Sequence, residues 1–238
     1  MAEQKPTRRA GGKDAGGAGR KDAGGAGRKD AVDAGRKDTV GAGRGYSMTK
    51  RADDVAATRQ AIVEAAVRLH GTLGPSSTTV SAVAEAAGVT RLTVYRHFPD
   101  NDALFAACSA HWASGQRLPD VGAWLAVDGA RARLRVGVTD LYRFYAEGEP
   151  MLTRVRRDRE MLPTFIQERT NATEQAMRDA LLEAFAVRGA RRRRLSAVLG
   201  HAVSFWTWRS LCLEQGLSQR ETVDAVCDLV MATAAASR

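Results

Sequence analysis

The sequence predicts an all-α protein, with a small N-terminal three-helix domain followed by a larger helical domain. From Met48 onward, apolar residues recur at spacings of three, four and seven, which is the period of an amphipathic helix. Glycine and proline interrupt this pattern where helices are expected to end. The chain has 238 residues, of which 44% are hydrophobic, so it can bury a sizeable core.

The charge and the cysteine content narrow the possible partners and surroundings. A formal net charge of +9 and a pI near 10 favour a polyanionic partner, with nucleic acid ahead of an acidic membrane surface. The three cysteines, none in C-x-x-C spacing, indicate neither a disulfide framework nor a zinc site. No apolar run approaches the roughly 18 to 20 residues that span a bilayer, and the N-terminus lacks the apolar core of a signal peptide. We therefore expect a soluble cytoplasmic protein with no cofactor, metal or membrane partner.

The N-terminal segment is repetitive. Residues 12–43 form four tandem octads, GKDAGGAG, RKDAGGAG, RKDAVDAG and RKDTVGAG. They have almost nothing to bury that would offset the entropy of ordering a glycine-rich backbone. Residues 1–47 carry 11 Lys and Arg against 6 Asp and Glu, and we predict a disordered basic tail. Two interpretations stay open: the tail helps to hold nucleic acid, or it is a solvated repeat that precedes the true start at Met48.

The domain predicted at residues 48–114 begins with a helix of roughly 17 residues. This helix ends at the glycines and proline of GTLGP, residues 71–75. A fourth helix of the same domain is expected after Pro99, with Asp100 and Asp102 near its positive end. The apolar stripe of the first helix comprises Val55, Ile62, Ala66, Leu69 and Leu73.

Two short helices are predicted between these, joined by a tight turn. Thr78 or Thr79 is placed to cap the first, and Gly88 supplies the left-handed residue that ends it. Thr90 caps the second, and Pro99 stops it. Such a pair is a helix-turn-helix, in which the second helix can enter the major groove of DNA.

The second helix has two distinct faces. At about 100° per residue, Val94 and Phe98 coincide as its buried edge. Arginine can bind guanine bidentately, a leucine or threonine methyl can meet a thymine methyl, and hydroxyls suit phosphates. The alternative is a helical hairpin with a solvated polar face. The face opposite the buried edge presents Leu92 and Arg96, flanked by Arg91, Thr93 and Tyr95.

Residues 78–104, TTVSAVAEAAGVTRLTVYRHFPDNDAL, resemble the signature of the TetR (tetracycline-repressor-like) family of transcriptional regulators, and the resemblance covers residues 55–108. It implies a three-helix DNA-binding domain whose fourth helix leads into a larger helical domain that dimerises and usually binds a small ligand. Asn101 departs from the pattern, since the family usually has a phosphate-contacting lysine there. His70 stands where a buried aromatic is usual, and we expect it to be a packing residue. The candidate DNA-binding residues are Thr78, Thr79, Thr90, Arg91, Leu92, Thr93, Tyr95, Arg96, His97 and Asn101.

The domain predicted at residues 115–238 continues in helices. After a break at residues 115–120, a helix with Leu134, Val138, Leu141 and Tyr145 on one side is expected to end before Pro150. The run Arg191–Arg194 is interpreted as a solvated boundary between two helices. Pro163 opens a long helix with one side formed by Ile166, Thr170, Thr173, Met177, Leu181 and Phe185.

Two final helices are predicted, and the first, with Leu195 to Leu213, is apolar on more than one face. A helix that must bury two sides suits a position between its own core and a partner subunit. The resemblance agrees, because family members commonly pair their last two helices into a four-helix bundle. We predict a homodimer whose interface includes Phe205, Trp208, Leu213, Val223, Cys227 and Val230.

The larger domain is also expected to hold a small-molecule pocket, because several aromatic and apolar residues lie in the helices that would surround it. No acid pair, metal-spaced His/Cys set or nucleophile elbow favours catalysis. We predict a ligand-responsive repressor that is not an enzyme. The alternative is a non-specific DNA-coating protein that depends on the basic tail. The candidate pocket residues are Trp112, Trp124, Tyr142, Phe144, Met151, Met161, Phe165 and His201.

Overall fold

The computed structural model describes residues 40–236, and all regular structure in that range is helical, as predicted. No helix within the range is both long and apolar enough to cross a membrane. Two 3-10 turns, Pro75–Ser77 and Arg159–Met161, and a π-helical segment, Ser210–Glu214, link the α-helices. The α-helices are α1 (Val40–Thr72), α2 (Val80–Ala86), α3 (Arg91–His97), α4 (Asn101–Ser114), α5 (Val121–Leu125), α6 (Ala130–Arg157), α7 (Thr164–Leu182), α8 (Gly189–Ala202), α9 (Phe205–Arg209) and α10 (Gln219–Ala235).

The helices form two apolar cores. The smaller core joins α1 to α4 and is built around Ile62, Val83, Val94, Phe98 and Leu104. The larger core joins α5 to α10, where α6 packs on α7, α9 and α10, and α8 packs on α7 and α10. Its members include aromatic residues from three helices, namely Trp124, Tyr142, Tyr145, Phe205 and Trp208.

The first helix ends within residues 71–75, as predicted, but begins earlier than predicted. Residues 1–39 of the predicted tail lie outside the described residues, but α1 begins at Val40 rather than after residue 47. No proline interrupts this stretch, and extending an existing helix adds one hydrogen bond for each residue fixed. Ile62 is buried as predicted, whereas Val55 and Leu73 are exposed. Val55 precedes the part of α1 that packs in the smaller core, and Leu73 lies past the last helical residue.

Helix α6 continues through Pro150, although the sequence predicted an end before it. Proline has no N–H to donate to the carbonyl of Ala146, so one bond of the helix is missing there. Buried residues on both sides, Tyr145 and Leu152, hold the flanking turns in the larger core. Tertiary packing therefore overrides the local signal to stop.

Three further features differ from the prediction. Helix α5 was not predicted; Asp120 caps it, and Asp140 of α6 fixes it by accepting hydrogen bonds from Asp120 N (2.8 Å) and Trp124 Nε1 (2.9 Å). The single helix predicted over Leu195 to Leu213 is divided at Ser204, whose hydroxyl accepts a hydrogen bond from Trp206 N (3.3 Å) and caps α9. Arg191–Arg194 lie within the first two turns of α8 rather than between helices.

Candidate nucleic-acid interface and internal cavity

The turn between α2 and α3 has the geometry that the sequence predicted. Thr79 caps α2 by accepting a hydrogen bond from Ala82 N (3.1 Å), and Thr90 caps α3 by accepting one from Thr93 N (3.1 Å). Between the helices, Gly88 has a φ of +68°, a left-handed conformation that a side chain disfavours. The two helices therefore pack as a helix-turn-helix.

Helix α3 presents the face that the helical wheel predicted. Val94 and Phe98 are both 2% exposed and belong to the smaller core, while Leu92 is 61% and Tyr95 43% exposed. Arg91 and Arg96 are also exposed, and Thr93 and His97 are half-buried. The predicted orientation of α3 is confirmed, and contact of this face with DNA stays a prediction.

The candidate residues around α3 differ in what they can offer a phosphate. Thr79 uses its hydroxyl oxygen as an acceptor in the cap and keeps its proton to donate. Thr78 is half-buried and donates its hydroxyl proton to the carbonyl of Gly74 (2.8 Å), so it has less to offer. Asn101 is exposed at the first turn of α4. Sequence reasoning missed Arg59 of α1, whose guanidinium lies 4.7 Å from the ring centroid of Phe98 and places a cation beside the end of α3.

A cavity of about 420 Å³ lies among α1, α4, α6 and α7. Of the eight predicted pocket residues, Trp112, Phe144 and Met151 line it. No group of three or more His, Cys, Asp or Glu side chains within residues 40–236 is placed to hold a metal ion. Sequence reasoning missed several cavity residues, among them His70, Phe105, Leu141, Tyr145, Arg156 and Glu174.

The other five predicted pocket residues lie elsewhere. Trp124 is buried in the larger core and donates its indole N–H to Asp140, and the hydroxyl of Tyr142 donates to the carbonyl of Ala202 (2.8 Å). Met161 and Phe165 are exposed around the start of α7, and His201 is exposed near the end of α8. Aromatic character alone did not separate core, surface and cavity. The two threonines within the apolar side of α7, Thr170 and Thr173, were the better signal, because both line the cavity.

His70 contacts Cys108 of the smaller core and also lines the cavity. It is buried and stacks on Phe105 of α4, with ring centroids 4.7 Å apart. Its Nδ1 lies 3.5 Å from Sγ of Cys108. Burial lowers the pKa of His70 to about 4, so the ring is neutral at pH 7. His70 is therefore a packing residue, as predicted, and it also forms part of the cavity wall.

The cavity contains one ion pair. Arg156, on the last turn of α6, donates from Nη1 to Oε1 of Glu174 on α7. Its guanidinium carbon lies 5.7 Å from the ring centroid of Tyr145 and 5.5 Å from that of Phe205. Its Nε is buried and donates to no atom of the described chain. The arginine is thus held against aromatic rings with a donor unused.

The end of α6 also grips the segment between α1 and α2. Arg154 Nε donates to the carbonyl of Thr72 (2.8 Å), and Arg157 Nη2 donates to that of Leu73 (3.1 Å). Asp158 accepts hydrogen bonds from the backbone N (3.0 Å) and the hydroxyl (2.8 Å) of Ser76. We call Arg154, Arg157 and Asp158 the α6 clasp.

Two features make the α6 clasp specific. Gly74 has a φ of +95°, and a Cβ there would collide with Arg157 Nη2 and Asp158 Oδ2, so glycine is required. Hydrogen bonds from Arg157, and then from Ser76, hold the pKa of Asp158 well below its usual value. The larger domain is therefore attached to the helix-turn-helix domain through α6 as well as through α4, which was the only link that the sequence suggested.

The predicted dimer interface needs correction. Five of its six residues, Phe205, Trp208, Val223, Cys227 and Val230, are buried in the chain's own larger core, where a partner cannot reach them. Only Leu213 is exposed, at 52%. The sequence showed that these helices are apolar on two sides but not which side faces inward. The exposed large apolar residues of this region are Trp206, Leu213 and Leu229.

The helix-turn-helix domain is similar in sequence to known proteins. Residues 62–108 match the family described as bacterial regulatory proteins, tetR family. Over 56 residues the chain is 45% identical to the HTH-type transcriptional regulator AcrR of Shigella flexneri. This match covers 24% of the chain and 26% of that protein, so it spans about a quarter of the relative's length.

Similarity of fold extends over both domains. A TetR family transcription regulator of Marinobacter aquaeolei has a TM-score of 0.54 at 18% identity, covering 77% of this chain and 97% of that one. PfmR of Thermus thermophilus has a TM-score of 0.51 at 19% identity, covering 72% and 97%. NalD, the secondary repressor of the MexAB-OprM multidrug efflux pump in Pseudomonas aeruginosa, has a TM-score of 0.51 at 22% identity, covering 76% and 96%. At these identities the comparison shows a shared fold alone.

A helix-turn-helix with an outward-facing second helix is an arrangement that can enter the major groove of DNA. The segment 62–108 matches the tetR family model, and the chain shares its fold with solved TetR family regulators. That family is described as bacterial regulatory proteins, and the curated relative is a transcriptional regulator.

Proposed function

We propose that this protein is a transcriptional repressor that binds a palindromic operator as a homodimer and responds to a small ligand. The exposed face of α3 carries the proposal. Burial of Val94 and Phe98 holds Leu92 and Arg96 away from the core. In a major groove, Arg96 is suited to a guanine edge and Leu92 to a thymine methyl.

The size of α3 supports a dimer. Its seven residues rise roughly 10 Å, about the length of three base pairs, so one helix reads only a short half-site. Two copies related by a two-fold axis read two half-sites and multiply the affinity. The exposed side chains of Trp206, Leu213 and Leu229 supply an apolar surface for the second copy.

Ligand response is supported by elements that the cavity shares with the DNA-binding domain. Helix α4 contributes Leu104 to the smaller core, Phe105 to the cavity wall, and Cys108 to both. Helix α6 contributes Arg156 to the cavity and carries the α6 clasp. A ligand that prefers one position of these helices shifts DNA affinity by the same preference.

The decisive experiment is a genome-wide footprint followed by binding measurements on the recovered site. We expect a palindromic site that the protein binds at least about a thousandfold more tightly than random DNA of equal length at physiological salt. Equal affinity for both DNAs at every salt concentration would instead identify a non-specific DNA-coating protein. A protected site without two-fold symmetry would contradict the homodimer.

A further inference from the structure

The charged residues of the cavity come only from the last turn of α6 and from α7. Among the described lining residues, Arg156 and Arg169 are positive and Glu174 is negative. The lining residues that α1 and α4 supply are uncharged at pH 7, because burial lowers the pKa of His70 to about 4 and raises that of Cys108 to about 12. The cavity wall therefore has one excess positive charge, which Arg169 carries at an exposed position, while Arg156 and Glu174 form the more buried pair.

The rest of the wall is apolar and rich in aromatic rings. Phe105 and Trp112 of α4 and Phe144 of α6 line it, together with aliphatic side chains and Met151. The rings of Trp112 and Phe144 meet edge to face, with centroids 6.0 Å apart. A ligand that fills this volume, which lies within the roughly 300–1,000 Å³ of drug-sized sites, must present a mainly apolar body.

Resting on the proposed ligand-responsive function, we infer that the cavity selects an amphipathic monoanion, with its apolar body against the aromatic residues and its acidic group bound by Arg156. A carboxylate that approaches an arginine side-on accepts from Nε and one Nη. Nε of Arg156 is buried and has no partner in the described chain, while Nη1 is paired with Glu174, so a small rotation of the guanidinium is needed to bring Nε to a bound carboxylate. Such an acid supplies the missing acceptor and neutralises the excess charge.

The charged residues of the cavity wall also disfavour neutral and positively charged ligands. A neutral molecule displaces water from Arg156 without offering its guanidinium a charged acceptor in return, which is costly in a partly dry site. A cation adds to the excess positive charge, since Glu174 is already paired with Arg156. Thr170 and Thr173 donate their hydroxyl protons to carbonyls of their own helix, so they offer a ligand acceptors rather than an alternative anion-binding donor set.

The test compares ligands that share a body and differ only in charge. One series is 1-naphthoate, 1-naphthamide and 1-naphthylmethylammonium, and the other is decanoate, decanamide and decylammonium. Binding to the full chain at pH 7 is measured by isothermal titration calorimetry. We expect at least one acid to bind about tenfold or more tightly than both its amide and its amine. Amides or amines that equal the acid in both series, or no binding by either acid up to about 1 mM, overturn the inference.

Variants then locate the acid group. The pair Arg156→Gln/Glu174→Gln removes the arginine without leaving an unpaired glutamate, and we expect it to bind acid and amide about equally. Arg169→Gln keeps the Arg156–Glu174 pair and is expected to reduce acid affinity less. Arg192→Gln, at an exposed site on α8 outside this cavity, removes the same charge as Arg169→Gln and is its matched control. It should keep the full preference for the acid over the amide. An acid preference that survives the double variant contradicts the assignment to Arg156.

DNA binding by the ligand-free protein separates this inference from the proposed function. If the protein recognises its site but shows no preference for acids, the inference fails and the function stands. If it prefers acids but binds no DNA specifically, the cavity assignment stands and the proposed function fails.

Discussion

The α6 clasp gives a prediction whose size follows from the structure. Asp158 is buried and accepts four hydrogen bonds, two from Ser76 and two from Arg157, Nε at 2.7 Å and Nη2 at 3.0 Å. Asp158→Asn keeps one carbonyl oxygen for Ser76 but turns an amide N–H toward the donors of Arg157. Hydrogen bonds to charged groups contribute about 1.5–3 kcal/mol and neutral ones about 0.5–1.5 kcal/mol. Since Arg157 is half-exposed and solvent-screened, we count only the two bonds from Ser76 and expect a loss of about 2 kcal/mol.

The pH dependence of this loss is a second part of the same test. The pKa of Asp158 is lowered in the folded state, first by Arg157 and then by Ser76. Its carboxylate therefore stabilises the fold fully above the unfolded pKa of about 3.9, and this contribution is lost as the pH falls below that value toward the folded pKa. The free-energy difference between wild type and Asp158→Asn should be about 1 kcal/mol smaller at pH 3 than at pH 7.

Urea unfolding followed by circular dichroism at both pH values measures these differences. Asp128→Asn, an exposed aspartate between α5 and α6, is the matched control and should change stability by less than about 0.5 kcal/mol. The reasoning is refuted if Asp158→Asn is no more destabilising than Asp128→Asn at pH 7. It is also refuted if the loss is the same at pH 3.

Three further predictions concern DNA binding and assembly. Arg96→Ala should leave the urea midpoint unchanged but weaken the free energy of DNA binding at the preferred site by about 1–3 kcal/mol in a gel-shift titration, with selectivity relaxed at one position of each half-site. Val94→Asp should instead unfold the domain, because it buries an unpaired charge. The reverse pattern would contradict the orientation of α3. Leu213→Asp and Leu229→Asp should each shift a dimer toward monomer in sedimentation while the chain stays folded, whereas Val230→Asp should unfold the chain. A stable dimer in both surface variants would place the interface elsewhere. Removing residues 1–39 should keep the site preference and make the salt dependence of DNA affinity shallower, and an unchanged salt slope would show that the tail makes no phosphate contacts.

Sequence reasoning succeeded where local chemistry decides the structure. The caps Thr79 and Thr90 and the left-handed Gly88 set the ends of α2 and α3 through contacts within a few residues. Val94 and Phe98 are spaced by four on one short helix, so only one orientation of α3 buries both.

Sequence reasoning failed where tertiary packing decides which residues a helix face contacts. A helical wheel shows that α10 has an apolar side, but it cannot tell the chain's own core from a second copy, and Val230 was assigned to the wrong one. Pro150 is a stop signal that the packing of Tyr145 and Leu152 overrides. Arg156 and Glu174 are 18 residues apart on different helices, so their pairing had no signal in the spacing of the sequence.

The last turn of α6 divides its duties between neighbouring residues, and this has a consequence for engineering. Residues that line the cavity interleave with the three that hold the loop before α2, so the cavity wall and the α6 clasp share a turn without sharing a side chain. Under the proposed function, ligand specificity can be redesigned at the cavity positions while the contacts of the α6 clasp with the DNA-binding domain are kept. The positions open to redesign are Met151, Val155 and Arg156, and those to keep fixed are Arg154, Arg157 and Asp158.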